Sequence, residues 1–175
     1  GPGQRVGDRK APHAEGTYTW DDPSKQYVAL LGELKRAGNW IEAIRTYKKF
    51  SREPEFSRVM FNATISMLSR GPRWRFALSV LEEMRDAGHP PDAYTFNSAI
   101  QACVRGREER LAFSLYEEMP TVGIQPDVYT FNHLITLCGE AGRVEDAASV
   151  MEQMEAAGLR ASSMTYNALI VGCGN

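Results

Sequence analysis

The sequence predicts an all-α protein, a solenoid of stacked helix pairs, because apolar residues recur at helical spacing and the whole pattern repeats. Residues 126–158 show one unit, with a turn at Ala141-Gly142 and a helix stop at Gly158. Its two helices each carry an apolar stripe with i, i+3, i+4, i+7 spacing: Phe131, Leu134, Ile135 and Cys138, then Ala147, Val150, Met151 and Met154. Neither helix can bury its stripe alone, so such pairs must stack on neighbours.

The same residue types return at an offset of 35 residues along most of the chain. The aligned sets are Asn62, Asn97, Asn132 and Asn167; Phe61, Phe96, Phe131 and Tyr166; Ala77, Ala112 and Ala147; Met84, Met119 and Met154; and Gly88, Gly123 and Gly158. A period of this length with two helices per unit is typical of an α-solenoid.

The period divides the chain into units. Residues 1–20, rich in Gly, Pro and charge, predict a flexible tail. A divergent first unit at 24–57 lacks the terminal glycine and is expected to be an atypical, capping-like repeat. Three regular units follow at 58–92, 93–127 and 128–162, and a fifth, at 163–175, reaches only its first helix. Pro120, directly after Met119, predicts an early end or a kink in its helix.

Composition limits the classes of function. The chain has 175 residues, 43% of them hydrophobic, and no apolar run approaches the roughly 20 residues of a membrane helix. The net charge is −2, with 15 Lys/Arg against 11 Asp/Glu in residues 1–90 and 5 against 11 in residues 91–175. This balance argues against indiscriminate adhesion to nucleic acid but leaves room for a local basic track.

The sequence indicates neither a metal centre nor an enzyme. Cys103, Cys138 and Cys173 lie 35 residues apart on equivalent stripes, which favours buried core thiols over a disulfide or a metal site. The three histidines show no ligand spacing. Triad, HExxH, Walker and deaminase signatures are absent from the sequence, so we expect no catalytic residues, no metal and no cofactor.

The unit resembles the pentatricopeptide repeat (PPR), as shown by Tyr129-Thr130-Phe131-Asn132 and Ile124-Gln125-Pro126-Asp127. The resemblance covers 24–175, strongly over 58–162 and weakly over 24–57. It implies a right-handed solenoid that binds single-stranded RNA along a concave groove, one base per repeat. It also implies a plastid or mitochondrial protein in RNA processing, stabilisation, splicing or translation; we expect no targeting peptide within the sequence given.

The resemblance implies a set of base-reading residues, the Asn early in each first helix and the last residue of the unit. The pairs are Asn62 with Asp92, Asn97 with Asp127, and Asn132 with Ser162, while Asn167 has no partner in the sequence and Val28 with Ser57 departs from the pattern. In the family, Asn with Asp resembles a uridine-preferring pair and Asn with Ser a less defined, pyrimidine one. The expected preference is therefore U-U-pyrimidine.

The resemblance also implies residues that stack on bases and residues that contact phosphates. The stacking positions hold Val59, Tyr94, Tyr129 and Met164, and the phosphate positions hold Arg36, Arg70 and Arg105, with Glu140 breaking the row. Three alternatives stay open. In the first, the tyrosines pack between helices and not on bases. In the second, the arginines only stabilise helix C-termini. In the third, each Asn binds nearby backbone groups and not a base.

A structural role is the second hypothesis for the whole chain. The acidic C-terminal half and the small number of repeats favour a scaffold subunit that holds proteins in an organellar complex such as a ribosome. The Asn–Asp pairs favour RNA. The apolar last helix also predicts self-association at that end.

Overall fold

The structure, a computed structural model, describes residues 22–173 and their side chains as far as residue 170. The predicted tail at 1–20 and the last two residues lie outside this range. Within it every regular element is a helix: α1 Pro23–Arg36, α2 Trp40–Phe50, α3 Arg58–Leu68, α4 Trp74–Asp86, α5 Ala93–Gly106, α6 Glu109–Thr121, α7 Val128–Glu140, α8 Val144–Ala156 and α9 Ser163–Cys173.

The helices form two layers. The first helices of successive units, α1, α3, α5, α7 and α9, pack on one another in chain order. Each second helix packs on the first helix of its own unit and on that of the next, while neighbouring second helices stay out of backbone contact in this part of the chain. The layer of second helices is therefore more widely spaced. A stack bends towards its more closely packed layer, so the first helices line the inner face.

The residues that repeat at 35-residue spacing form the core. Ile65, Ile100 and Ile135 have no exposed surface, and the alanines and methionines of the second helices are equally buried at Ala77, Ala112, Ala147, Met84, Met119 and Met154. The small alanine lets the second helix approach closely, and the flexible methionine fills the remaining space. The core thus runs continuously along the array, as expected when no unit can bury its stripe alone.

Glycine ends the second helices as the sequence predicts. Gly88, Gly123 and Gly158 have φ values of 79°, 80° and 76°, a region that a side chain disfavours. After each glycine, the next N–H turns back to the methionine carbonyl five residues earlier, for example from Leu159 to Met154 at 3.1 Å. This closes the helix in a Schellman motif.

The predicted early end at Pro120 was wrong. α6 continues to Thr121, and Pro120 lies exposed in its last turn. Proline removes only one backbone N–H there, and the carbonyls of Glu118 and Met119 still accept from the N–H of Val122, at 3.3 Å each. Near a helix end this loss is small, since the following residues already leave the helix.

A cluster of aromatic rings joins the first unit to the second. Tyr27, Tyr47, Phe56 and Phe61 meet edge to face with ring centroids 4.7–6.4 Å apart. Phe56 lies buried in the connection between α2 and α3, at the place in the unit where the later units have their glycine turn. The Tyr47 hydroxyl donates to Glu83 at 2.6 Å and ties α2 to α4.

The cysteines with described side chains, Cys103 and Cys138, are free and fully buried. Burial, reinforced by the charge of Glu108, raises the pKa of Cys103 to about 12. Burial also raises the pKa of Cys138. Such thiols stay protonated and inert. The described part of the chain contains neither a three-residue cluster suited to a metal ion nor a helix long and apolar enough to span a bilayer.

Candidate nucleic-acid interface

The amide of Asn97 is held by two residues at the start of the next unit. Its Nδ2 donates to both carboxylate oxygens of Asp127 at 3.0 Å, and its Oδ1 accepts from the Thr130 hydroxyl at 2.6 Å. The two oxygens of one carboxylate lie too close together to take one amide hydrogen each. They share one hydrogen, so one N–H and one oxygen lone pair of Asn97 remain unused.

Asp127 is at the same time the N-cap of α7. Its Oδ1 accepts the Thr130 N–H at 3.0 Å, and its own N–H donates to the Thr130 hydroxyl at 3.1 Å, which completes a capping box. The cap fixes the carboxylate, and the carboxylate fixes the Asn97 amide. Helix start and candidate reading position are therefore one hydrogen-bonded unit.

The preceding pair repeats this arrangement. Asn62 Nδ2 donates to Asp92 at 3.2 Å and its Oδ1 accepts from Thr95 at 2.6 Å, while Asp92 caps α5. Burial by itself raises the pKa of Asp92. The hydrogen bonds from Thr95 and Asn62, with the charge of Arg58, outweigh it and bring the pKa below its ordinary value. Asp92 is therefore an ionised acceptor at neutral pH.

The third pair differs. Thr165 still donates to Asn132 Oδ1 at 2.8 Å, but Ser162 bonds to Thr165 and not to the amide. Asn132 is also only 7% exposed, against the half-buried Asn62 and Asn97. Asn167 is exposed. In the first unit, Ser57 contacts Ser24 at 2.9 Å, and Val28 lies 37% exposed.

The four predicted stacking residues all lie open to solvent. Val59, Tyr94, Tyr129 and Met164 are 55–62% exposed, although each is large and apolar. Packing between helices therefore does not account for the tyrosines. Tyr94 also donates its hydroxyl to Ser66 of the previous unit at 2.7 Å, which restrains the ring.

The predicted phosphate residues Arg36, Arg70 and Arg105 are exposed near the C-terminal ends of α1, α3 and α5. Burial and the charge of Arg70 lower the pKa of Lys35, so these two cations lie near each other. Grouped like charges repel each other, and an anion would relieve that repulsion. Helix capping alone does not require such a group.

Comparison with known proteins identifies the family. A sequence model of the pentatricopeptide repeat domain matches residues 51–106, 79–139 and 114–175, well over half of the chain. The chain is a pentatricopeptide repeat protein. A search of curated proteins finds no match.

Solved structures share the fold of this PPR chain. The PPR domain of Arabidopsis thaliana protein-only RNase P 1 in complex with tRNA has TM-score 0.72 and 19% identity, over 86% of this chain and 80% of that one. PPR10 from maize, in complex with an 18-nucleotide psaJ RNA element, has TM-score 0.72 and 23% identity, over 85% of this chain. The matched region is only 22% of the PPR10 chain. At these identities the likeness shows the fold alone.

The PPR geometry adds residues that sequence reasoning missed. Thr95, Thr130 and Thr165 each hold the carbonyl oxygen of the Asn that lies 33 residues earlier. The signal was present, because all three recur at the 35-residue offset, three residues after Asp or Ser. That spacing predicts a capping box. It does not predict that the same hydroxyl reaches a side chain of the previous repeat.

Proposed function

We propose that the array binds single-stranded RNA along its inner face, with a preference of the form U-U-pyrimidine. The observation that carries this proposal is the Asn97 amide, whose orientation Asp127 and Thr130 fix while one N–H and one lone pair stay free. A prealigned polar group loses little freedom when it binds a base, so its hydrogen bonds favour affinity and specificity.

The carboxylate favours uracil over cytosine. Uracil carries a ring N–H between two carbonyl oxygens, whereas the ring nitrogen of cytosine at this place is an acceptor. A carboxylate accepts only, directly or through water, while the free amide N–H can donate to a uracil oxygen. Ser162, which is neutral and has a hydroxyl, removes this bias in the third pair and fits either pyrimidine.

The exposed side chains at the stacking positions support binding of a splayed single strand. Tyr94 and Tyr129 offer open rings in consecutive repeats, where stacking contributes about 1–3 kcal/mol per base. Three reading pairs and a short row of arginines predict modest affinity and a shallow dependence on salt, because the salt slope grows with the number of phosphates neutralised.

The cellular role is a separate proposal, which the family suggests. We infer a plastid or mitochondrial protein that acts in RNA processing, stabilisation, splicing or translation, without catalysis by these repeats. Crosslinking the tagged protein to RNA in isolated organelles, followed by sequencing, tests this role. Enrichment of transcripts with pyrimidine-rich sites supports it, and association with proteins alone contradicts it.

The decisive test compares U-rich, C-rich and A-rich single strands across a salt series. Asn97→Ala should lower affinity for the U-rich strand and reduce the preference for U over A. Glu152→Ala is the control, because this exposed residue lies on α8, in the layer of second helices away from the inner face, and the preference should stay unchanged. An absence of binding to any strand at low salt would refute the proposal and favour the scaffold role.

A further inference from the structure

Arg107 has an unusual backbone conformation. It ends α5 in the left-handed region with φ 57° and ψ 35°, and within residues 22–173 it is the one non-glycine with positive φ. Gly38 and Gly142 occupy the equivalent turn position in the first and fourth units, with φ 65° and 71°. Glycine adopts this conformation without strain, while an L side chain does not. The turn itself therefore gives no reason for an arginine.

The Arg107 side chain lines a groove on the inner face, between α5 and α7. The groove has a volume of about 420 Å³ and is also lined by Gln101, Arg105, His133 and Glu140. It continues along the helix face that carries the candidate reading residue Asn97, since Gln101 lies one turn after Asn97 on α5. The strained turn thus places a guanidinium along the face that we assign to RNA.

The two arginines of the groove are free to bind an anion. Arg105 and Arg107 are exposed, and neither has a carboxylate within 4.0 Å among the side chains that the structure describes. Two other arginines, Arg85 and Arg143, are paired with carboxylates instead. Arg85 is paired with Glu82 and Glu118, and Arg143 with Glu109 and Asp146.

Two further groups add donors to the groove. Gln101 Oε1 accepts from the Ser69 hydroxyl at 2.9 Å, so the amide hydrogens on its Nε2 remain available. Burial lowers the pKa of His133, against the opposing charge of Asp127, so the ring is neutral and supplies an N–H. Glu140 is the one carboxylate of the lining, and it leaves an excess of one positive charge.

We propose that this groove binds one phosphate group of the RNA strand, with Arg107 as its principal ligand. The site rests on the proposed RNA binding. Arg107 lies two residues beyond Arg105 and outside the row formed by Arg36, Arg70 and Arg105. It supplies a positive charge where that row breaks at Glu140. The planar guanidinium suits phosphate oxygens, which it can bind through two parallel hydrogen bonds.

Arg107→Gly tests the site, because its expected effects on folding and on binding have opposite directions. It replaces the strained residue with the one found in two other repeats, so the melting temperature should stay equal or rise. The slope of log Kd against log salt for a U-rich strand should fall by about one, with the preference for U intact. Arg107→Lys should keep the slope, and so should Arg110→Ala, which removes an arginine outside the groove lining.

A strand with a single neutral methylphosphonate, moved along the sequence, locates the phosphate. At one position the substitution should weaken binding to the wild-type protein but not to Arg107→Gly. If the effect of Arg107→Gly appears only with 5′-phosphorylated strands, the ligand is a terminal phosphate; if it appears without one, the ligand is a phosphodiester. Both results support the site.

The outcomes also separate this site from the proposed function. An unchanged salt slope in Arg107→Gly, with wild-type binding and U preference intact, overturns the phosphate site alone. Failure of the wild-type protein to bind RNA overturns both.

Discussion

Replacing Asp127 by alanine removes two interactions whose strengths can be judged separately. The first is the N-cap of α7, the bond from the Thr130 N–H at 3.0 Å, which typically contributes about 1 kcal/mol. The second is the carboxylate that accepts from the amide of Asn97. Because Asn97 is half-buried and water can reach it, leaving this donor unpaired costs about 1 kcal/mol, the low end of the usual range. The expected total loss is about 2 kcal/mol.

Asp127→Ser is the matched variant, because serine also caps helices but cannot replace the carboxylate. In the natural Ser162 position, the hydroxyl contacts Thr165 and leaves the Asn132 amide without a carboxylate. Asp127→Ser should therefore cost only about 1 kcal/mol, because it keeps the N-cap and loses only the hydrogen bond from the Asn97 amide. It should nevertheless lose the preference of that repeat for U over C.

Urea unfolding followed by circular dichroism at pH 7 measures both costs, and binding to strands that differ by one U-to-C change measures the preference. Ser162→Asp is the reverse experiment, which should stabilise the chain and shift the third base towards U. Equal destabilisation by Asp127→Ala and Asp127→Ser would refute the separation of cap and amide. Unchanged preference for U in Asp127→Ser would refute the role of the carboxylate in reading.

Three further predictions concern the fold. A Cβ at Gly106 would lie 2.6 Å from the Trp74 ring, near its attachment point, so Gly106→Ala should destabilise by about 1–3 kcal/mol in urea unfolding. Gly32→Ala, where the nearest atom is 4.0 Å away, should be neutral or stabilise by up to about 1 kcal/mol; equal effects would contradict the clash. The pKa of Asp92 is lowered on folding, so its stabilisation is complete above the unfolded value of about 3.9 and disappears as pH falls through the folded value. The urea midpoint should therefore drop at acidic pH more steeply in wild type than in Asp92→Asn, and identical pH profiles would contradict this. Cys103, with a pKa of about 12, should resist iodoacetamide in the native protein and react after unfolding, as peptide mapping can show; rapid native labelling would contradict its burial.

The fold was largely predictable because its information is local and repeated. The apolar stripe around Phe131 defines a helix face, and Gly158 marks a helix end through its freedom at positive φ. Recurrence of both at one offset then identifies the stack. Pro120 shows where local rules fail. Its effect depends on how many helical bonds follow it, and here almost none do.

The candidate site was predictable only in part. The positions of Asn97 and Asp127 follow from the repeat pattern and the family resemblance, but the role of Thr130 as the clamp of the Asn97 carbonyl does not. Asn132 resembles Asn97 in sequence, yet it is nearly buried and has no carboxylate partner. These differences arise from contacts between side chains of neighbouring units, and the periodicity of the sequence does not predict such contacts.

The sequence by itself determined the elements: which segments are helical, which face of each is apolar, and that the pairs must stack. Only the tertiary structure decided which polar atoms meet across the stack, such as the Thr130 hydroxyl at 2.6 Å from Asn97, and that Arg107 lines a groove on the inner face. The physical reason is a difference in tolerance. An apolar stripe stays buried when its helix shifts by about an ångström, because the hydrophobic effect has no direction. A hydrogen bond weakens steeply when its donor and acceptor move apart by a few tenths of an ångström, and it also requires a defined angle.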